Sequence, residues 1–426
     1  MRSAKKFWLV AASSALIAAT LLPREEALAQ ASPSAVANSG PSADQVFQQL
    51  RDKTDEFEAL GWPPRGRVTL SPRLKQAYVD FNKRLWTNYN IGYIVAPTVM
   101  MQKSSQGGSE GFTANEQVLS SFAWRALNKT RLGTAYFFFS HLHLTQLTRN
   151  SGVNFSQALG INYFTSDSVA NTDSFKAMLW RHELPGDILT LIMGHGEIGG
   201  VDGGCRYACD DTQSFISSVL SNNPTRTLPG QGTELGADVK IVDGVVVEFS
   251  AADARGNGRL HLDRPFETNE WAYATALKIE NPFKQFGDGL YKLTYYTVDE
   301  TRKGTPQAQA ASEGVTIQLD QDFGDLGLFV KYHQAFERKS LADKSAGGGV
   351  IWKAPFGNEE DQLGLGVGWI DPTAPNTNNE YVAETYYRMQ LTPFVQVTAD
   401  AMLTINPSKP GSSNEGVFSL RARGHF

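Results

Sequence analysis

Residues 415–426, EGVFSLRARGHF, alternate apolar and polar side chains almost to the end of the chain. Phe418 and Leu420 fall on one face of this segment, and Arg421 and Arg423 fall on the other. A period of two is that of a β-strand. An apolar face opposite a charged face is typical of a strand that separates lipid from a water-filled lumen.

The same period continues upstream as far as Asn90, and it is weakest over residues 174–194. We count about sixteen such segments of roughly 9 to 13 residues, the length that crosses a bilayer when the strand is tilted. An even number of strands returns the C-terminus to the side on which the first strand began. The pattern therefore predicts an all-β fold: a transmembrane antiparallel β-barrel over residues 90–426, preceded by a short N-terminal helical segment.

The connections between these segments alternate in length. Short turns are predicted at 128–131, 185–186, 242–244, 323–325 and 392–393. Longer polar loops separate them, at 103–113, 148–173, 196–230, 254–267, 300–311, 337–346, 372–379 and 406–415. Outer-membrane barrels have short turns on the periplasmic side and long loops outside, so the outer membrane is the expected location.

The N-terminus predicts export from the cytoplasm. Arg2, Lys5 and Lys6 precede an apolar run over residues 7–22, and small residues follow. This is the pattern of a signal peptide, which we expect to occupy residues 1–29.

Residues 30–89 are predicted to form a linker and a periplasmic helical segment. Apolar residues recur at helical spacing over 44–60 and again over 72–89. After the leader the sequence has no apolar run of about 18 residues, so no membrane-spanning helix is predicted.

Composition excludes some functions and leaves two alternatives open. The formal net charge of -5 makes nucleic acid a poor partner. A low mean hydropathy of -0.30 fits a barrel, but it also fits a secreted soluble β-sandwich that binds carbohydrate. A barrel enzyme is the less favoured alternative, because no H-E-x-x-H helix is present and no catalytic group is identified. We predict neither an enzyme nor a bound cofactor.

The loop over residues 196–230 is the longest, and it contains both cysteines of the chain, Cys205 and Cys209. In an oxidising compartment their spacing favours a local disulfide over free thiols or a metal site. A loop of this length requires a function or disorder. We expect it to fold into the barrel and narrow the lumen, although a surface loop closed by its own disulfide is the alternative.

Two other groups could bind a metal, but neither spacing is specific. His141 and His143 share one face of a strand with phenylalanines, which favours ordinary packed or polar residues. Asp202, Asp210 and Asp211 do not match a calcium-binding loop, so they are expected to be solvated acids. No metal site is predicted.

The segment LTPFVQVTADAMLTINPS, residues 391–408, resembles the late signature of the carbohydrate-selective porin family of the OprB type. Tyr387, Arg388 and Gln390 match its conserved turn, together with Thr392-Pro393 and Asn406-Pro407. The segments LWRHELPGDILTLIMG and DQLGLGVGWIDP also resemble earlier parts of the family. The long loop, including its two cysteines, departs from the family pattern.

The resemblance implies a sixteen-stranded porin that admits small sugars by passive diffusion and that assembles as a homotrimer among outer-membrane lipids. The terminal Phe426 resembles the aromatic residue by which the barrel-assembly machinery recognises its substrates. Sugar hydroxyls are recognised by planar donors and acceptors, so charged and aromatic residues on inward faces are the candidates for solute binding. These residues are Glu384, Tyr386, Arg388, Asp400, Arg421 and Arg423.

Overall fold

The computed structural model describes residues 66–68, 71–105, 111–148, 155–156, 172–198, 205–225, 229–305, 308–336, 340 and 342–426. The expectations for residues 1–29, 30–43 and 44–60 lie outside these ranges. The described helices are α1 (Pro72–Tyr89), α2 (Ser218–Ser221) and α3 (Arg264–Thr268). The strands are β1 (Ile91–Ser104), β2 (Phe112–Thr130), β3 (Gly133–Gln146), β4 (Thr172–Glu183), β5 (Leu189–Gly196), β6 (Gly232–Val242), β7 (Val245–Asp253), β8 (Trp271–Glu280), β9 (Gly289–Val298), β10 (Ser312–Phe323), β11 (Leu326–Ala335), β12 (Ala342–Lys353), β13 (Gln362–Pro372), β14 (Glu380–Thr392), β15 (Val395–Ile405) and β16 (Glu415–Gly424).

The strands form one closed antiparallel barrel, in which each strand pairs with its neighbour in sequence and β1 pairs with β16. Thr98 lies opposite Arg423 at this closure. Two further backbone hydrogen bonds of 3.0 Å join Val95 to the terminal Phe426. The predicted sixteen-strand barrel is confirmed, and the alternative of a β-sandwich is excluded because the sheet has no free edge.

The faces of the strands alternate as the sequence predicts. In β16, Phe418 is 62% exposed on the outer face, whereas Arg421 is 1% exposed on the inner face. Outward apolar residues recur around the barrel, for example Leu293 on β9, Val330 on β11 and Val367 on β13. An apolar outer face of this kind is the one that membrane-spanning barrels present to lipid. None of the helices in the described part of the chain is both long and apolar enough to span a membrane.

One end of the barrel carries the compact connections, and we call it the short-turn rim. Its connections are 131–132, 184–188, 243–244, 281–288, 324–325, 354–361 and 393–394. The sequence analysis did not predict turns at 281–288 and 354–361, although each segment contains a turn-forming dipeptide, Asn281-Pro282 and Gly357-Asn358. The long polar segments join strands at the opposite end, as expected.

The β4–β5 region explains why alternation is weak over residues 174–194. The pairing of β3 with β4 shifts register between Ser140 and His141, which breaks the period of two. β5 has only 8 residues. A short strand beside a bulge cannot show a clear alternating pattern.

Helix α1 lies at the short-turn rim, across the β1–β16 closure. Ahead of it, the backbone N–H of Arg67 donates to the carbonyl of Gln390 at 3.0 Å, and Val68 donates to Leu391 at 2.7 Å. On the helix itself, the Tyr78 ring packs edge-on against Phe394, with centroids 4.7 Å apart. The chain is therefore fixed to the β14–β15 turn before it enters β1.

An ion pair strengthens this attachment. The Arg67 guanidinium lies 2.6 Å from the carboxylate of Asp361, which has no exposed side-chain surface. Burial alone would raise the pKa of Asp361, but hydrogen bonds from Tyr387, Arg67 and the N–H of Gln390 lower it below its usual value. The carboxylate therefore stays ionised and paired at neutral pH.

Candidate functional site

The long connection between β5 and β6 runs inside the barrel. Its longest described stretch, residues 205–225, is here called the inner loop. It contacts inward-facing side chains of β10, β11, β14 and β16, on opposite parts of the wall. Lys331 of β11 donates to the carbonyl of Ala208, and Asn223 donates to Thr316 of β10 at 3.0 Å.

The inner loop reaches the short-turn rim, although it starts from the opposite end of the barrel. Arg206 lies 3.1 Å from Asp322, next to the β10–β11 turn, and 3.6 Å from Asp288 in the β8–β9 turn. The Tyr207 ring lies against Gly327 at the start of β11, where any Cβ would overlap it. The loop therefore descends through the full height of the barrel.

From this lowest point the inner loop crosses to β16. The guanidinium of Arg423 lies 3.1 Å from the Asp210 carboxylate, and Arg421 donates to the carbonyl of Asp211. Both arginines are polar-face residues of the final strand. Arg423 anchors the loop through a carboxylate, and Arg421 anchors it through a backbone carbonyl.

The loop then rises along β14. The backbone N–H groups of Ile216 and Ser217 both donate to the carboxylate of Glu384. Arg388 donates to the carbonyl of Gln213 at 3.4 Å. Glu384 thus satisfies two backbone donors that burial would otherwise leave unpaired.

Helix α2 ends in a recess formed by glycines on the inner faces of β12 and β13. A Cβ at Gly366 would lie 2.8 Å from Leu220 Cδ1 and 2.9 Å from Phe215 Cε1, and a Cβ at Gly368 would overlap Val219. These positions, with Gly347, are here called the glycine seat: Gly347, Gly366 and Gly368. Only residues without side chains leave room for the loop here.

The glycine seat left a signal in the sequence. Gly364, Gly366 and Gly368 occupy alternate positions of β13, which strips one face of the strand of side chains. Alternating glycines on an inward face indicate a wall against which another part of the chain packs. Phe215, Val219 and Leu220 supply the apolar counterpart.

All six residues expected to bind solute lie on the inner face, but the inner loop covers them. Five are between 1% and 5% exposed: Arg421, Tyr386, Arg423, Glu384 and Asp400. Arg388 is half-buried. All of these five except Asp400 contact the loop directly and hold it in place. All five have almost no surface to present to a solute.

The rest of the inner wall carries opposite charges in pairs. Arg181 on β4 lies 3.1 Å from Asp238 on β6. Lys292 on β9 lies 2.8 Å from Glu248 on β7. Lys353 on β12 lies 2.7 Å from Asp322 on β10. Pairing reduces the net field in the lumen.

Cys205 and Cys209 form a disulfide, with Cα atoms 6.0 Å apart. The bond closes a turn of five residues within the inner loop and joins no two strands. It restricts the conformations of that turn alone.

We predict that a Cys205→Ser, Cys209→Ser double variant keeps a barrel as resistant to heat in detergent gels as the wild type. Its single-channel current should fluctuate more, because the turn at the bottom of the loop is no longer closed. Loss of the heat-resistant band would contradict this local role, and alkylation of native wild type should find no free thiol.

The weaker metal candidates have other partners. His143 Nδ1 lies 2.6 Å and His141 Nε2 lies 3.8 Å from the Asp173 carboxylate, on the outer face of the barrel. Asp210 is not a solvated acid, because Arg423 and Gln213 contact its carboxylate. Asp202 lies outside the described residues. Within the described ranges, no group of three His, Cys, Asp or Glu residues is arranged to hold a metal ion.

Comparison with known sequences identifies the relatives of this barrel. A sequence profile described as carbohydrate-selective porin, OprB family, matches residues 218–426, from α2 in the inner loop to the last residue. Porin AaxA of Chlamydia felis (strain Fe/C-56) is 24% identical over 324 residues, which cover 70% of this chain and 68% of that porin. Porin AaxA of Chlamydia pneumoniae is 25% identical over 318 residues, covering 71% of this chain and 70% of that porin.

Comparison with solved structures gives the same fold. The high-pH structure of Pseudomonas putida OprB has a TM-score of 0.67 at 15% identity, and the match covers 82% of this chain and 97% of OprB. The low-pH structure has a TM-score of 0.51 at 14% identity. The profile match includes the glycine seat and all the expected solute-binding residues. The fold is that of a channel, and the chain is an outer-membrane porin for small solutes whose residues 218–426 match the OprB-type carbohydrate-selective porin family.

Proposed function

We propose that this porin passes small uncharged polar solutes, carbohydrates among them, and that the inner loop sets their size limit. The short-turn rim faces the periplasm, as in other outer-membrane barrels. The observation that carries the proposal is the inner loop, which descends from the long-loop end to this rim and packs against the wall along its path.

The charges of the lumen support an uncharged solute. A pore lined by charge of one sign concentrates ions of the opposite sign. Here several described cations of the wall lie beside carboxylates, as in the pairs Arg181–Asp238 and Lys292–Glu248. A neutral solute loses little by entering such a lumen, since polar groups replace its water hydrogen bonds.

The packing of the inner loop supports a size limit. Phe215 contacts Phe329 of β11 and Tyr386 of β14, with ring centroids 5.3 Å and 5.0 Å apart. Apolar packing against several strands holds the loop within the lumen. A solute must pass through the cross-section that the loop leaves open.

We expect liposomes containing the protein to swell faster in monosaccharide than in disaccharide, and faster in disaccharide than in a linear trisaccharide. Planar-bilayer measurements should show weak ion selectivity, since the wall charges are paired. Ion conductance without sugar entry, or strong selectivity for one ion sign, would contradict the proposal.

Export and assembly belong to the same proposal. A signal peptide over residues 1–29 would deliver the chain to the periplasm. Phe426 remains partly exposed at the β1–β16 closure, where the barrel-assembly machinery could contact it. N-terminal sequencing of the mature protein tests the cleavage, and the mass of the native particle in detergent tests the expected homotrimer.

A further inference from the structure

Arg206 differs from the other described residues of the inner loop. Arg206 is the one residue of the inner loop that is classed as exposed when backbone and side chain are taken together. Its side chain is 32% exposed although it forms ion pairs. Asp288, one of its two carboxylate partners, is 61% exposed. Charged groups that can meet a solute therefore lie at the periplasmic rim, below the residues that the loop covers.

Two cations and two carboxylates meet at this point. Arg206 and Lys353 share Asp322, at 3.1 Å and 2.7 Å, and Arg206 also faces Asp288 at 3.6 Å. The charges balance, so the cluster does not favour an anion or a cation. It offers both donors and acceptors in a small space.

An aromatic ring completes the cluster. The Tyr207 ring centroid lies 5.9 Å from the Arg206 guanidinium and 5.4 Å from Lys353 Nζ. The ring is half-buried, and its other contacts include the backbone of Gly327. An aromatic ring beside planar donors and acceptors can contact the C–H face of a sugar while the polar groups contact its hydroxyls.

The backbone that carries Arg206 and Tyr207 is held on several sides. The N–H of Arg206 donates to Asp320 of β10 at 3.0 Å, and Lys331 of β11 donates to the carbonyl of Ala208. The Cys205–Cys209 disulfide brackets the same residues. A binding group held in advance loses less conformational entropy when a solute arrives.

From this geometry we propose that Arg206, Tyr207 and Asp288 form a solute-binding site at the periplasmic mouth, and that its ligands are neutral polyhydroxylated molecules. Vicinal hydroxyls of such a solute accept hydrogen bonds from Arg206 and donate to Asp288. The site rests on the proposed function, since it refines how the pore handles uncharged solutes. It is the last point of contact before release into the periplasm.

The experiment measures block of single-channel ion current by a linear glucose trisaccharide, added separately to each side of an oriented channel. In wild type, block from the periplasmic side should have the faster association rate, because the site lies near that mouth. Arg206→Gln and Asp288→Asn should each raise the half-blocking concentration about fivefold, the effect of losing one hydrogen bond of about 1 kcal/mol.

Arg131→Gln is the matched control, since it removes the same charge from an exposed arginine in the β2–β3 turn of the same rim. The half-blocking concentration for this variant should equal that for the wild type. The site is disproved if the trisaccharide blocks the wild type and blocks Arg206→Gln and Asp288→Asn at the same half-blocking concentration. If no sugar blocks the wild type and none enters liposomes, the proposed function fails first, and the site fails with it.

Discussion

Replacing Gly366 with valine is expected to displace the inner loop and raise the single-channel conductance. A Cβ at this position would lie 2.8 Å from Leu220 and 2.9 Å from Phe215, closer than packed side chains tolerate. Overpacking of this kind costs about 1 to 3 kcal/mol. If the loop moves away from the glycine seat, the overpacking is relieved. The ratio of docked to undocked loop then falls by about 5- to 150-fold.

The strand itself should tolerate the change, because valine is favoured in β-strands. Conductance in planar bilayers should therefore rise and become noisier, while the boiled and unboiled samples still migrate differently in detergent gels. Liposome swelling should lose its preference for small sugars.

Gly348→Val provides the control for this variant. Gly348 lies in β12 next to Gly347 of the seat, but it points to the outer face. The Gly348→Val variant should have the same single-channel conductance as the wild type. If Gly366→Val matches the wild type in conductance and in sugar preference, the seat does not hold the loop, and the size limit must lie elsewhere.

The barrel could be predicted from the sequence because its main signal is local. Each strand shows its two faces within a few residues, as Phe418 and Arg421 do in β16. The long connections could be predicted for the same reason, since polar segments interrupt the alternation. Where a bulge shifts the register, as at Lys176 in β4, the local signal fails.

The path of the inner loop could not be predicted, because it depends on contacts between distant residues. Alternation places Arg421 and Glu384 on the inner face, but it does not show that a loop covers them. The pairing of Arg206 with Asp322 joins residues 116 positions apart. The attachment of Arg67 to Asp361 spans 294 positions, and neither residue has a distinctive local pattern.

This coverage changes what the arginines of the last strands are expected to do. From their faces alone, neutralising Arg388 or Arg421 should shift ion selectivity toward cations and weaken sugar block while the fold stays intact. In the structure, Arg421 is buried, donates to the Asp211 carbonyl and lies 3.7 Å from Asp400. Neutralising Arg421 should therefore act mainly by loosening the inner loop.

Arg421→Gln is expected to release the inner loop more completely than Arg388→Gln. Both variants remove one positive charge from the same wall, but Arg388 makes one long hydrogen bond of 3.4 Å to the loop backbone. Loss of Arg421 removes the cation beside the buried Asp400 carboxyl and near Glu384. Leaving a buried charge without its partner costs about 3 to 5 kcal/mol.

The double variant Arg421→Gln, Asp400→Asn separates this electrostatic cost from the loss of a hydrogen bond. Removing Arg421 together with the Asp400 carboxyl leaves Glu384 as the single acid of the pair, and the N–H groups of Ile216 and Ser217 stabilise it. Conductance and current noise should therefore return most of the way to wild type. Asp400→Asn alone should have an intermediate effect, because Arg421 keeps its bond to the loop backbone. A double variant as noisy as Arg421→Gln would show that the guanidinium holds the loop by its hydrogen bond to Asp211, and that its charge beside Asp400 contributes nothing.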